Sequence, residues 1–169
     1  NYHVANRLLG AAAALLMTIG LPPGGPVVSA GGFREEALDA GVRAAVRAQL
    51  GIAGDTALTQ ADMEGLERLS IRKMGVKSLE GLEYAVNLEW LDVSGNPLEG
   101  EEPLAAVGRL PELMNLSADD CGLTSLEFVS GLTKLYNLSV CGNGISSLSP
   151  LKKLSSFTTA SIGPASLRV

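Results

Sequence analysis

The chain has 169 residues, of which 46% are hydrophobic, and this is enough for one domain with a sizeable core. Thirteen Lys and Arg residues against 18 Asp and Glu residues give a net charge of −5, and this acidic balance argues against nucleic acid as a partner. The only histidine is His3, so residues 31–169 lack the imidazole that a Ser/His or Cys/His nucleophile pair or a histidine metal site requires.

Residues 1–30 have the composition of a secretory signal peptide. Arg7 precedes a 14-residue apolar run over residues 8–21, and Val28 and Ala30 supply the small side chains expected before a cleavage site. The run is too short to span a membrane as a helix, although an uncleaved anchor stays open as an alternative. We therefore expect a secreted or cell-surface protein that does not insert into a membrane once the signal is removed.

Residues 31–65 are predicted to form a helical N-terminal cap. Apolar residues recur every four positions in segment 33–50, which predicts an amphipathic helix, with Gly41 as an unfavourable residue in its middle. Thr59, followed three residues later by Asp62, resembles a capping box and predicts a second, short helix. A solenoid needs such a cap because its first repeat otherwise exposes an apolar end.

An eleven-residue phrase recurs through residues 66–169, with the pattern L-x-x-L-x-L-x-x-[N/C]-x-[L/I/V]. Its first positions are Leu66, Leu88, Leu113, Leu135 and Phe157, and the last unit is incomplete. The steps of 22, 25, 22 and 22 residues match the period of leucine-rich repeats. The sequence therefore predicts an α/β leucine-rich repeat solenoid with a parallel β-sheet on its concave face and short 3₁₀ or extended segments on its convex face.

The ninth position of the phrase is expected to lie in a turn, where an Asn side chain bonds free backbone groups of the neighbouring unit. The residues at this position are Met74, Asn96, Cys121, Asn143 and Ala165. Met74 and Ala165 are expected to weaken this ladder at its two ends. Cys121 is predicted to be buried in place of Asn and Cys141 to lie on the concave face, both as free thiols.

The 25-residue step indicates an insertion within residues 99–103 of the second unit. Acidic residues and Pro103 at this place favour a longer helical turn before Leu104. We interpret the insertion as a local bulge on the convex side.

A helical cap that ends in a Leu-Thr-x-x-Asp-Met phrase and directly joins 22-residue repeats resembles the internalins and related secreted bacterial leucine-rich repeat proteins. The phrase consists of Leu58, Thr59, Asp62 and Met63, and the repeats follow from Leu66. This resemblance covers residues 33–169 and implies a right-handed, gently curved solenoid that binds a protein partner on its concave face. A C-terminal cap and an anchoring segment are missing from the sequence, so we expect it to be a fragment of a longer protein.

Positions 3, 5 and 7 of the phrase are predicted to point away from the core and to form the concave face. The predicted partner-binding residues are Arg68, Ser70, Arg72, Trp90, Asp92, Asn115, Ser117, Asp119, Asn137 and Ser139. Trp90 is the only tryptophan and the expected anchor, because buried aromatic residues dominate interface energetics. Alternatively, Trp90 lies flat against Arg68 as a cation–π pair that needs no partner.

Charge on this face is expected to run from positive to negative along the solenoid. Arg68, Arg72 and Lys73 lie on one side of the Trp90 strand, and Asp119 and Asp120 lie on the other. A partner would need the reverse pattern. We interpret the carboxylates of Asp92, Asp119 and Asp120 as a solvated surface that meets a basic partner, with cation binding as the alternative.

No catalytic motif is present, since the sequence lacks a C-x-x-C pair, a P-loop and a G-x-G-x-x-G run. We predict no enzymatic activity, no cofactor and no metal, and a monomeric module that recognises a protein in adhesion or in contact with a host or neighbouring cell. Two alternatives stay open. In one, the repeats target a larger extracellular or cell-wall enzyme whose catalytic domain lies beyond the chain end. In the other, they form a cytoplasmic adaptor like the phosphatase-regulating repeat proteins.

Overall fold

The computed structural model describes residues 32–100, 102–156 and 158–163. Five strands form one parallel sheet in chain order, namely β1 (Arg68–Ser70), β2 (Trp90–Asp92), β3 (Asn115–Ser117), β4 (Asn137–Ser139) and β5 (Thr159–Ser161). One strand per repeat in this order is the architecture of a leucine-rich repeat solenoid, and the predicted α/β fold class is confirmed. The predicted signal peptide and the repeat residues Phe157 and Ala165 lie outside the described residues.

The core follows the apolar positions of the phrase. Buried residues at its fourth and sixth positions are Leu69, Ile71, Leu91, Val93, Leu116, Ala118, Leu138 and Val140. Ala160, at the fourth position of the last unit, is exposed together with the rest of β5, so the prediction of a buried residue was wrong there. Within the described sheet β5 is the last strand, and it pairs with β4 on one side.

Short 3₁₀ turns form the opposite side of the repeats, as predicted. They span Leu82–Tyr84, Glu102–Leu104, Val107–Arg109, Glu127–Gly131 and Ser149–Lys153. Each turn buries one side chain against the core, with Leu82 and Val129 as examples. The insertion gives the second unit two such turns where the third and fourth units have one.

Helix α1 (Ala40–Leu50) begins at residue 40 and not at residue 33, so the predicted start was wrong. The carboxylate of Asp39 accepts a hydrogen bond from the backbone N–H of Gly41 at 2.9 Å, and Asp39 has extended backbone with ψ 145°. Asp39 is therefore the N-cap that defines the helix start. The preceding residues Glu35–Ala37 form a separate 3₁₀ turn.

Gly41 permits a close approach between α1 and the first repeat. A Cβ atom at this position would lie 2.6 Å from Cγ2 of Val76, which no ordinary packing allows. The prediction treated this glycine only as a cost of about 1 kcal/mol to the helix. Its role is to let α1 pack closely enough that Val42 and Val46 are fully buried.

Helix α2 (Gln60–Glu64) carries the predicted capping box. Thr59 Oγ1 accepts a hydrogen bond from the N–H of Asp62 at 3.2 Å, and Asp62 Oδ2 accepts one from the N–H of Thr59 at 2.9 Å. These two reciprocal bonds fix the start of the helix. The buried side chain of Met63 then joins the core immediately before the first strand.

Ninth-position side chains link neighbouring units through backbone hydrogen bonds. Asn96 Oδ1 accepts from the N–H groups of Met74 and Val76, and its Nδ2 donates to the carbonyls of Ile71 and Val93, all at 2.7 to 3.1 Å. Asn143 repeats this arrangement on the third and fourth units.

Two ninth-position residues differ from this asparagine pattern. Cys121 is buried, as predicted, and its thiol donates to the carbonyl of Val93 at 3.3 Å. Met74 is 43% exposed. A thioether offers the backbone no donor and only a weak acceptor, so Met74 cannot make the bonds that Asn96 and Asn143 make.

Candidate functional site

The parallel register places the predicted partner-binding residues in two columns on the side of the sheet opposite the core. The first column contains Arg68, Trp90, Asn115, Asn137 and Thr159, and the second contains Ser70, Asp92, Ser117, Ser139 and Ser161. We call these two columns, together with Arg72, Ser94, Asp119 and Cys141 just beyond the strands, the concave face. Adjacent strands are about 4.8 Å apart, so side chains recur along each column at that step.

Solvent exposure differs among the ten predicted residues. Arg68, Ser70, Arg72 and Asn137 are exposed; Trp90, Asn115, Ser117, Asp119 and Ser139 are half-buried; Asp92 is buried. Nine of the ten side chains thus have solvent access. Asp92 is more covered than the sequence predicted, with 9% of its surface exposed.

Trp90 lies against Arg68 of the preceding strand. The guanidinium carbon of Arg68 is 4.7 Å from the centre of the indole ring, which is cation–π geometry. The geometry of the alternative prediction is therefore observed. The pair leaves Trp90 half-buried on the concave face, outside the apolar interior, so the ring keeps surface available for a further contact.

Asp92 is held by its own turn and by the first unit. Its Oδ1 accepts a hydrogen bond from the N–H of Ser94 at 2.9 Å, and its Oδ2 lies 3.9 Å from Nη1 of Arg72. Ser94 is itself only 2% exposed. Asp92 therefore organises the end of β2, and its ion pair with Arg72 is a weak one because the arginine side chain is 55% exposed.

Asp119 connects the third and fourth units on the same face. Its Oδ1 accepts hydrogen bonds from the hydroxyl of Ser139 and from the N–H of Cys141, each at 2.7 Å. Its own N–H donates to Ser94 Oγ at 3.2 Å. One carboxylate oxygen is thus committed to the fold, and the half-buried side chain still contributes negative charge to the face.

The middle of the face is neutral and rich in hydrogen-bonding groups. Asn137 Nδ2 lies 3.5 Å from Asn115 Oδ1, so the two amides form a weak pair along the first column. Ser117 and Ser139 lie beside them in the second column. Amides and hydroxyls that both donate and accept are suited to the peptide groups of another chain.

Two charged residues, Lys73 and Asp120, border the concave face; the sequence placed them in its charge pattern but not among the ten predicted binding residues. They follow Arg72 and Asp119 and adopt left-handed backbone conformations, with φ 55° and 51°. The sequence contained a sign of this geometry, because the equivalent residues of the second and fourth units are Gly95 and Gly142.

The described residues offer little for catalysis. Burial raises the pKa of the Cys121 thiol, with a smaller contribution from Asp119 and Asp120, so the thiol stays protonated at neutral pH. Cys141 is a free, half-buried thiol. Among residues 32–100, 102–156 and 158–163, no group of three or more His, Cys, Asp or Glu side chains is arranged to hold a metal ion.

A half-open pocket of about 200 Å³ lies away from the concave face, beside the insertion of the second unit. Gly100 and Ala105 line it on one side, and Ser125, Glu127 and Phe128 line it on the other. It contains one titratable side chain and no pair of groups that could share acid–base chemistry. Within the described part of the chain, no helix has the length and apolarity needed to cross a membrane.

Comparison with known proteins agrees with this geometry. No protein-family model and no curated protein matches the sequence. Among solved structures, the internalin InlF of Listeria monocytogenes aligns with a TM-score of 0.68 and 28% identity over 75% of this chain and 37% of its own. The internalin C2 of the same species aligns with a TM-score of 0.56 and 28% identity over 74% of this chain and 64% of its own.

The fold and the open polar face define a leucine-rich repeat protein of the kind that carries protein-interaction surfaces. More particularly, it is an internalin-like leucine-rich repeat protein, as the resemblance in the sequence predicted. The chain spans about a third of the length of one of these internalins and just under two thirds of the other.

Proposed function

We propose that this protein is a secreted or cell-surface module that binds a protein partner on its concave face, in adhesion or in recognition of a host or neighbouring cell. Similarity to two internalins supports a protein-interaction module. The observation that carries the choice of face is Trp90, which is half-buried on β2 and held by Arg68 at 4.7 Å. A large aromatic side chain that is oriented before binding loses little entropy when a partner covers it.

The partner should complement three zones of the face. Arg68 and Arg72, at the first unit, favour acidic groups, and Asp119, at the third, favours basic ones. The amide of Asn115, next to Trp90 in the first column, and that of Asn137, one strand further on, offer hydrogen bonds to a peptide backbone. We therefore expect an apolar or aromatic contact at Trp90, flanked by opposite charges.

The proposed organisation is a signal peptide over residues 1–30, a helical cap over residues 31–65 and repeats over residues 66–169, acting as a monomer. Support for export comes from the n-, h- and c-regions of the first segment. Mass spectrometry of the protein recovered outside the cell tests this part. We expect a mature N-terminus near residue 31, and a full-length mass of the recovered protein would contradict cleavage.

A selection experiment tests the binding face. A random peptide library displayed on phage is selected on the wild-type protein, and the selected peptides are then measured against variants. We expect the double variant Trp90→Ala, Asn115→Ala to weaken most peptides at least tenfold, because the two residues are neighbours in the first column.

The matched control is Phe128→Ala, which removes a half-buried aromatic ring from the convex side. We expect it to leave peptide affinity within twofold of wild type, while thermal unfolding verifies that all variants remain folded. Peptides that lose affinity with Phe128→Ala and not with the concave-face variant would contradict the proposed site.

A further inference from the structure

Lys73 and Asp120 occupy the same position in the first and third units, and both hold a backbone conformation that favours glycine. Their φ angles are 55° and 51°, and the equivalent Gly95 and Gly142 of the second and fourth units have φ 73° and 69°. A left-handed conformation costs stability for a residue with a Cβ atom, and more for Lys than for Asp. The chain therefore keeps two charged residues where glycine would be less strained.

The two charged side chains extend over the glycine of the following unit. A Cβ atom at Gly95 would lie 2.7 Å from Cγ of Lys73, and the carboxylate of Asp120 occupies the equivalent space at Gly142. Glycine at these two positions thus leaves room for the charged side chain of the preceding unit. Charged residues and glycines therefore alternate from unit to unit just beyond the C-terminal ends of the strands. This places one ammonium and one carboxylate along the same edge of the sheet, the edge formed by those strand ends.

Neither charge takes part in an ion pair with another described residue. The ion pairs within residues 32–100, 102–156 and 158–163 join Arg47 to Glu35, Arg72 to Asp92 and Lys134 to Glu112. Lys73 and Asp120 contribute to the fold through backbone N–H groups, which donate to the carbonyls of Ser94 and Cys141. Glycine would make those same bonds, so the side chains are not needed for them.

We propose that Lys73 and Asp120 form a charge clamp for an extended protein segment that carries an acidic and a basic residue three positions apart. The proposal rests on the proposed function, because it names the charges of the partner that the concave face would bind. The two residues are two strands apart, about 10 Å. A segment in the polyproline conformation presents every third residue on one side at a spacing of about 9 Å, which matches this separation.

The test uses a rigid probe of that spacing, the tetrapeptide Ac-Asp-Pro-Pro-Lys-NH2, titrated into the isotope-labelled full chain and followed by amide chemical shifts. We expect saturable shifts at residues 73, 95, 120 and 142, with a dissociation constant in the millimolar range. The neutral peptide Ac-Ser-Pro-Pro-Ser-NH2 should bind at least tenfold more weakly. Equal affinity for the two peptides, or no shifts at these residues, would overturn the proposal.

Exchange of the two charges provides the decisive variants. Lys73→Asp and Asp120→Lys should each weaken the tetrapeptide at least threefold, because each leaves two like charges at the edge. The double exchange should restore affinity to within twofold, since the peptide can bind in the opposite direction. Both residue types already occur in this backbone conformation, so the exchanged chain should fold.

The control variant is Lys152→Asp, which reverses an exposed lysine in the convex 3₁₀ turn Ser149–Lys153 and should leave affinity unchanged. A double exchange that fails to restore binding, with its unfolding temperature unchanged, would overturn the clamp. Library peptides that bind through Trp90 while the tetrapeptide does not bind would overturn the clamp alone and leave the proposed function standing.

Discussion

Asparagine occurs in two settings on the same repeats, and the two settings have opposite consequences. Asn96 and Asn143 lie inside the turns, with 1% and 3% of their surfaces exposed, and their amides bond backbone groups of two units. Asn115 and Asn137 lie on the concave face and contact each other only at 3.5 Å. The interior amides are committed to the fold, whereas the amides of the face keep donors and acceptors for another molecule.

This difference teaches how a repeat protein separates stability from recognition. A side chain at the ninth position can change only with a replacement that serves the same backbone groups, as Cys121 partly does. A side chain at the third position can change without leaving a buried group unpaired. The surface can therefore vary from Arg68 through Trp90 to Thr159 while the sheet beneath it keeps one register.

The largest expected loss of stability follows substitution of an interior amide. Asn143→Ala leaves the buried N–H groups of Cys121 and Leu123 and the carbonyls of Ala118 and Val140 without their side-chain partner. We expect a loss of at least about 3 kcal/mol in the free energy of unfolding, since each of these four groups costs about 1 to 3 kcal/mol when it is left unpaired and local relaxation recovers part of the total. Urea denaturation measures this loss.

Asn137→Ala is the matched control, because it removes the same amide from the concave face of the same unit. A loss for Asn143→Ala no larger than that for Asn137→Ala would remove the distinction between the two settings.

An intermediate effect on stability is expected for the two cysteines. Cys121 lies in the interior of a turn and Cys141 on the concave face, so they offer the same comparison as the asparagines. Because burial raises the pKa of Cys121 in the folded state, the unfolded chain releases this proton at lower pH than the folded chain does. The contribution of the buried, protonated Cys121 thiol to the free energy of unfolding is therefore complete below the ordinary thiol pKa of about 8.5. This contribution is lost as pH rises through the folded-state pKa. Urea denaturation between pH 7 and pH 10 should show this fall in stability.

The variant Cys121→Ser should lose that alkaline decline, and Cys141→Ser should keep it. In the native protein, a thiol reagent at pH 8 should modify Cys141 within minutes and Cys121 only at the rate of unfolding. Modification of both thiols at the same rate would show that Cys121 is not protected by the fold.

The smallest effect on stability is expected for substitutions on the concave face. Asn115→Ala should change the free energy of unfolding by no more than about 0.5 kcal/mol, as surface substitutions generally do. The same variant should still reduce the affinity of peptides selected on the concave face. A loss of stability comparable to that of Asn143→Ala would mean that the first column supports the fold as much as the turns do.

Much of the fold could be predicted from the sequence because the same pattern of apolar residues recurs in every repeat. The apolar positions from Leu66 to Leu138 recur at a fixed period, so one pattern predicts the strand of every unit and the pairing between units, and the capping box at Thr59 is a local pattern within four residues. The start of α1 was missed because the cap at Asp39 competes with a longer apolar period. The role of Gly41 was missed because it depends on Val76, which is distant in sequence.

The site was less predictable, because exposure on a sheet face depends on neighbours in other units. Spacing placed Asp92 on the correct side of β2, but it could not indicate that the N–H of Ser94 donates to its carboxylate and that Arg72 lies 3.9 Å from it. Likewise, the sequence placed Lys73 and Asp120 in the charge pattern of this face, but their left-handed backbone conformation becomes evident when the backbone angles of all four units are compared.

The most direct measurement for the central claim uses Trp90, whose fluorescence reports on the concave face alone because the chain has no other tryptophan. Quenching by acrylamide is measured for the free protein and for the protein saturated with a library-selected peptide. We predict efficient quenching of the free protein and at least a twofold smaller quenching constant in the complex. An indole that acrylamide cannot reach in the free protein, or equal quenching in both states, would contradict a partner-binding surface at Trp90.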